Sequence, residues 1–362
     1  MRLLSFFCLI AGLLVSTVTL LASAGDPDPE VLIEQQHYKQ ARRILEQRLS
    51  QNPKDLRATE LLTKIKLEGK QNDDVIKTMT PIVAQYPNNA EYRIILADAY
   101  GQKAGSESAG MFEKMRCGRT MKKEGDLALS IDPKNPDALF GMIQFHLQAP
   151  GIVGGDKKKA HEYADRLVVV DPVKGNLVQA EIATQEKHEG QVEGFYQKAI
   201  AASPKSYDAL VQLAGFYAGE KHRDYEKSDK YLRQALQVDP GRSGAYAVLA
   251  QTLVLREKWT ELDQLLAQAE KSCPEDFSYY YQAARVLLNT GKDNDRAERY
   301  FRKYLTQEPE VGRPSWAHAH WRLGLVLEKQ GKKDQARREI ETALKLNPEL
   351  KAAEKDLKRV KG

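Results

Sequence analysis

Four groups of residues in this sequence carry chemistry by type. Segment 149–159, APGIVGGDKKK, sets three glycines and a lysine run ahead of a helical pattern, a composition with which backbone N–H groups can cradle a phosphate. It departs from the phosphate-loop motif, which needs Gly-Lys-Ser/Thr after four intervening residues, and no strand pattern precedes it. A long turn in which Asp156 caps the next helix is the simpler reading. His318 and His320 lie two apart, so on a helix they point to different faces and cannot chelate one metal as an i, i+4 pair would. His37, His146, His161, His188 and His222 are scattered without ligand spacing. Nothing beside Cys117 or Cys273 suggests an activated thiolate. No residue therefore reads as catalytic, cofactor-binding or metal-ligating, and the chain reads as non-enzymatic. The alternative, an enzyme accessory or unrecognised hydrolase, has only the glycine loop behind it, although a Ser-His-Asp set assembles across a fold and leaves no local spacing.

The elements that would position these residues follow from composition and periodicity. The 362 residues are 42% hydrophobic and 29% charged, with 55 Lys+Arg against 50 Asp+Glu and a formal charge of +5. Such a chain is too apolar and too balanced to be disordered, and its weak positive charge supplies no footprint for nucleic acid. Three cysteines cannot staple a scaffold of this length. Arg2 precedes an apolar run over 3–21 that ends in Ala22-Ser23-Ala24, a small-x-small triplet of the kind a signal peptidase cuts. Residues 1–24 read as a signal peptide. An uncleaved anchor is the rival, because the run approaches the roughly 20 residues that span a bilayer. No later segment is apolar for that length.

Prolines recur at 53, 87, 133, 172, 204, 240, 274, 309 and 348. Twelve residues before each stand Ala41, Val75, Met121, Ala160, Val192, Ser228, Leu262, Ala297 and Ala336. Eight before stand Leu45, Met79, Gly125, Ala164, Tyr196, Leu232, Leu266, Phe301 and Ile340, and five before come mostly alanines, with Arg48 in the first unit. These offsets trace one stripe of a 3.6-period helix that each proline closes. A second amphipathic segment precedes each stripe, as in 209–217 and 245–253. The unit is a helical hairpin, repeated about nine times.

The units resemble tetratricopeptide repeats. The last fits best, with Leu323, Gly324, Leu327, Gly331, Ala336, Ile340, Ala343 and Pro348, and the unit ending at Pro240 fits with Leu213, Ala214, Tyr217, Leu232 and Ala235. The resemblance implies an all-α solenoid of about nine stacked helix-turn-helix repeats over residues 25–348, wound into a right-handed superhelix, with 349–362 as a capping helix. Three units depart from the pattern. The first has a short leading helix, the third carries about twelve extra residues around 104–115 with Gly125 at a bulky position, and the fifth is two residues short. Cys117 and Cys273 lie about four repeats apart, on the order of 40 Å at ~10 Å per helix layer, too far for a disulfide.

The resemblance also implies a concave groove lined by the first helices, where Asp98, Phe140, Gln144, Gln251, Tyr281, Arg285, His318 and Trp321 face inward. Aromatic and arginine residues dominate interface energetics, so a protein or peptide partner is expected there. The alternative is an envelope polysaccharide or other anionic polymer. With the leader read as a signal, the expected compartment is the periplasm, secretion or signal anchoring being the other outcomes. Expression in an export-competent bacterium is expected to yield a chain beginning at Gly25. Terminal sequencing that finds Met1 on a membrane-bound product selects the anchor instead.

Overall fold

The computed structural model describes residues 27–107 and 109–361, so the reading of 1–24 as a signal peptide lies outside the described residues. Among the described residues nineteen α-helices follow one another, the first eighteen as nine antiparallel hairpins. The hairpins are α1 (Pro29–Glu34) with α2 (Tyr38–Gln51), α3 (Leu56–Glu68) with α4 (Asn72–Gln85), and α5 (Ala90–Gly105) with α6 (Met111–Ile131). Next come α7 (Pro136–Gln148) with α8 (Lys157–Val170), α9 (Pro172–Gln185) with α10 (Glu189–Ala202), and α11 (Tyr207–Ala218) with α12 (Tyr225–Val238). The last three are α13 (Ser243–Leu255) with α14 (Trp259–Ser272), α15 (Ser278–Thr290) with α16 (Asn294–Tyr304), and α17 (Trp316–Lys329) with α18 (Lys333–Leu346), before the terminal α19 (Lys351–Lys361).

Local chemistry sets these boundaries. Two residues beyond Pro53, Pro87, Pro133 and Pro204, the side chains of Asp55, Asn89, Asn135 and Ser206 cap the next first helix. Several hairpin turns close when a residue enters the left-handed region and the following N–H reaches back to the helix. Gly331 does so with φ 77°, and Gln36, Lys70, Lys187 and Glu257 do so without glycine's freedom. All nine residues twelve positions before the prolines are buried, which places the second-helix stripe in the core. Arg48 is exposed, as the outer face of a terminal repeat requires.

The irregular units each have a packing reason. The third repeat's insert lengthens its two helices: α6 has 21 residues where α8, α10 and α12 have 14. A Cβ on Gly125 would lie 2.5 Å from Met142 Sδ, so the methionine of the next helix fills the space the glycine leaves. The short fifth repeat has lost its connecting loop. Asp171 is at once the C-cap of α8 and the N-cap of α9, and Pro172 opens α9 instead of following α8 at a distance. Only glycine permits this crossing, since a Cβ on Gly175 would sit 2.4 Å from the Val168 backbone.

First helices of successive repeats touch one another at α3–α5, α5–α7, α11–α13, α13–α15 and α15–α17, which curves the array with first helices inside. The curvature brings the chain back onto itself. The turns of repeats one and two dock against the loops after α12, α14 and α16. Lys39 Nζ donates to the carbonyls of Glu275 (2.6 Å) and Glu308 (2.8 Å), Arg43 meets Glu275 at 3.0 Å, and Val311 packs into the apolar cluster of the first two repeats. Arg313 crosses the seam, donating to Gln36 Oε1 (3.0 Å) and to Asp276 Oδ2 (3.0 Å). Asp276 is buried, yet Arg313 and the hydroxyls of Ser243 and Ser278 outweigh that burial and hold its carboxyl below the usual range. Glu310, only 2% exposed, accepts from the backbone N–H groups of Lys39 and Val311, both at 2.9 Å.

Two outcomes follow for stability. Ala235 is wholly enclosed, so Ala235→Asp buries an unpaired charge and is expected to cost at least about 3 kcal/mol in chemical denaturation. At the seam, burial pushes the Glu310 carboxyl up to about 7, with Asp276 adding to the shift and the two N–H donors and the Lys39 ammonium opposing it. A carboxyl raised in the folded state favours folding at and below its ordinary value of 4.5, and that contribution is lost as pH climbs through about 7. Glu310→Gln is therefore expected to gain in melting temperature relative to wild type between pH 5 and pH 8. A gap that does not change with pH would place this carboxyl in ordinary solvent.

Candidate functional site

The inner face is built from first-helix positions spaced three or four residues apart, such as His318, Trp321, Leu325 and then Glu328 and Lys329 on α17. Neighbouring repeats are joined along this face by polar pairs. Lys64 Nζ meets Glu91 at 2.6 Å between repeats two and three, and Lys174 pairs with Asp137 while lying 5.1 Å from the Phe140 ring centroid. Gln144 donates to Glu181 (3.2 Å), Arg285 to Gln251 (3.0 Å), and Arg322 to the Tyr281 hydroxyl (2.9 Å). Trp321 Nε1 donates to Asp356 Oδ2 of α19 at 2.8 Å.

Six of the eight residues expected in the groove are thus tied to the repeat or helix beside them. Phe140, Gln144, Gln251, Arg285 and Trp321 are half-buried in that face. Tyr281 is a correction: at 4% exposure its ring is enclosed against Phe301 and Tyr304, 5.5 and 5.1 Å away between centroids. Tyr279 and Tyr280 are buried as well, because α15 is covered by α13, α16 and α17. His318 is held by Ser315, with Oγ to Nδ1 at 2.9 Å. Asp98 is half-buried beside Gly141, and burial, helped by the negative charge of Asp137, pushes its carboxyl up to about 7.

One concavity was not among the expectations. A cavity of about 610 Å³ opens where α15, α17 and α19 meet, lined by Leu288, Asn289, Arg322, Leu325, Glu328, Lys329, Asp356 and Arg359. Leu325, Glu328 and Lys329 continue the register of Trp321 and were readable from it. Asp356 and Arg359 belong to the terminal helix, whose lysine-rich composition reads as a solvating cap. Instead α19 seals this end of the groove, with Ala353 buried and Arg359 bonded to Glu328.

The glycine loop is not a phosphate cradle. Its N–H groups are spent internally: Val153 and Gly155 donate to Pro150, Gly154 to Gly151, and Asp156 to the carbonyl of His146. The Asp156 carboxylate already occupies the α8 N-terminus, accepting from Lys158 and Lys159. A Cβ on Gly155 would fall 1.7 Å from the Ala149 carbonyl oxygen, so that glycine serves a tight turn. His320 pairs with Glu339 at 2.6 Å, away from His318, and no group of three or more His, Cys, Asp or Glu is placed to hold a metal among the described residues. Cys117 and Cys273 are buried free thiols. Burial pushes Cys273 up to about 12, and its Sγ donates to Ala269 as a small helix-end residue.

Models of the tetratricopeptide repeat match residues 32–99 and 317–350. No curated protein matches the chain. Among solved structures, yeast Tom70 is 12% identical over 92% of this chain and 86% of its own, with a TM-score of 0.52. A tetratricopeptide repeat protein from Parabacteroides merdae is 15% identical over 74% of this chain and 99% of its own, with a TM-score of 0.46. Nine hairpins, the buried proline-linked stripe and the two matched segments agree: the chain is a tetratricopeptide repeat protein.

Proposed function

We propose that the chain is an exported, non-enzymatic scaffold that holds an extended protein or peptide segment along its concave face in the cell envelope. The carrying observation is the cross-repeat ladder that ends in the 610 Å³ cavity. Side chains already fixed by neighbours lose little freedom when a partner arrives, so a preformed lining of this kind supports tight recognition of an extended chain. The cavity offers apolar contact at Leu288 and Leu325 beside groups of both charges, which suits a peptide carrying an apolar anchor between polar positions. Export rests on the N-terminal run and its small-x-small triplet. No described helix is long and apolar enough to cross a membrane. Anionic-polymer binding in the groove draws no support from this lining, where Lys64, Lys174 and Arg285 are each engaged by a neighbour.

Affinity selection of a random peptide library against the chain tests the reading. Selected peptides are expected to lose about tenfold or more in affinity for a Phe140→Ala, Leu325→Ala variant that melts like wild type. Equal binding to both proteins would move recognition off the groove, and a library that yields no binder would remove the reading.

A further inference from the structure

The insert around 104–115 and a second one, the turn 149–156 that joins α7 to α8 where 186–188 suffices between α9 and α10, meet at one edge of the array. Val153 Cγ1 lies 3.0 Å from where a Cβ of Gly118 would be, and Gly154 sits against Lys122, so the glycine loop rests on the side of α6. The seven residues by which α6 exceeds α8 lie at its N-terminal end, since both helices close at their prolines, and they overhang this edge by about 10 Å. In repeats one and two the corresponding edge is covered by the seam. In repeats three and four the described residues leave it open.

Three of the four most exposed large apolar side chains among the described residues stand on this edge, the fourth being Val169. Phe112 is 90% exposed, Ile152 76% and Met111 73%, and each stands on an insertion. Phe112 heads an exposed stripe of α6 that continues through Arg116 and Arg119. Lys157, Lys158 and Lys159 follow at the start of α8, and among the described residues no ion pair engages any of these five cations. The edge's own acids are largely occupied, Asp156 by the α8 cap and Glu113 by Lys103 at 3.0 Å; Glu107 and Glu162 leave the excess positive.

We infer that this edge docks on an anionic lipid surface, with Phe112, Met111 and Ile152 entering the headgroup region and the flanking cations held over it. A protein partner would require a shaped counter-surface, and the display here is convex, with apolar tips carried on separate protrusions. A bilayer accepts such tips without complementarity and attracts the cations. This inference is independent of the groove reading.

Co-sedimentation with vesicles tests it. The packing and hydrogen bonds described above lie within residues 27–361, so the chain from Gly25 is used, because the apolar run 3–21 would enter bilayers by itself. Binding is expected to vesicles of phosphatidylcholine with 30% phosphatidylglycerol, roughly, and to weaken on salt addition and with phosphatidylcholine alone. Phe112→Ser with Ile152→Ser, and separately Lys157→Glu with Lys159→Glu, should each lower partitioning by about tenfold or more while leaving the melting temperature unchanged. Wild type that ignores anionic vesicles overturns the inference, as does equal partitioning of both variants. A concentration-dependent dimer that Phe112→Ser abolishes would also overturn it, by assigning the edge to self-association.

Discussion

Each hairpin stacks on its neighbours at residues too small to keep the helices apart, and the rest of the array depends on that closeness. Ala41, Ala160, Ala199, Ala235, Ala269 and Ala343 are fully enclosed, and a Cβ on Gly324 would lie 2.6 Å from Ile340. At axis separations of about 8 to 10 Å an aromatic or charged side chain does not fit at these alanines. No hairpin buries its stripe alone, so the stacking contacts provide the core and also transmit the angle from each repeat to the next. Where the pattern breaks, a neighbour compensates within the same geometry. Met142 fills the hole at Gly125, and Gly175 lets α9 cross the α8 backbone directly.

Accumulated over eight repeats, that angle returns the chain to its beginning. The seam is polar where the repeat cores are apolar: Lys39, Arg43, Asp276, Glu310 and Arg313 meet there, with Val311 as its apolar plug. Burying such groups is costly unless each finds a partner, and here they largely do, through backbone carbonyls, N–H groups and the serine hydroxyls around Asp276. Glu310 is the exception in energy although not in hydrogen bonding, since two N–H donors do not offset its desolvation. The first two repeats are consequently coupled to the loops that follow the sixth, seventh and eighth. The groove is the inside of a closed turn and not an open trough.

Polar side chains on the inner face act twice. Lys64 with Glu91, Gln144 with Glu181 and Gln251 with Arg285 link one repeat to the next, which steadies the lining while leaving half-buried atoms toward the groove. The terminal helix extends this logic, since Trp321 bonds to Asp356 across the last junction and the cavity forms beside that bond.

Spacing alone carried the repeat number, the hairpin unit and the buried stripe, because a 3.6-residue period leaves its mark within a dozen residues; the inward placing of Phe140, Gln144, Gln251, Arg285 and Trp321 came from the likeness to the repeat family and not from spacing. Asp156 as a helix cap was equally local. Tyr281 was misread because the three consecutive tyrosines do point in three directions, but α13, α16 and α17 cover α15 on all of them. The cavity at α19, the meeting of two insertions on one edge and the seam between repeats one and eight were not legible. Each joins residues distant in sequence, 35 between Trp321 and Asp356 and 271 between Lys39 and Glu310, and their meeting depends on small inter-repeat rotations summed over the array. Local pattern specifies each hairpin, and only the folded stack decides where the sum of those rotations brings its ends.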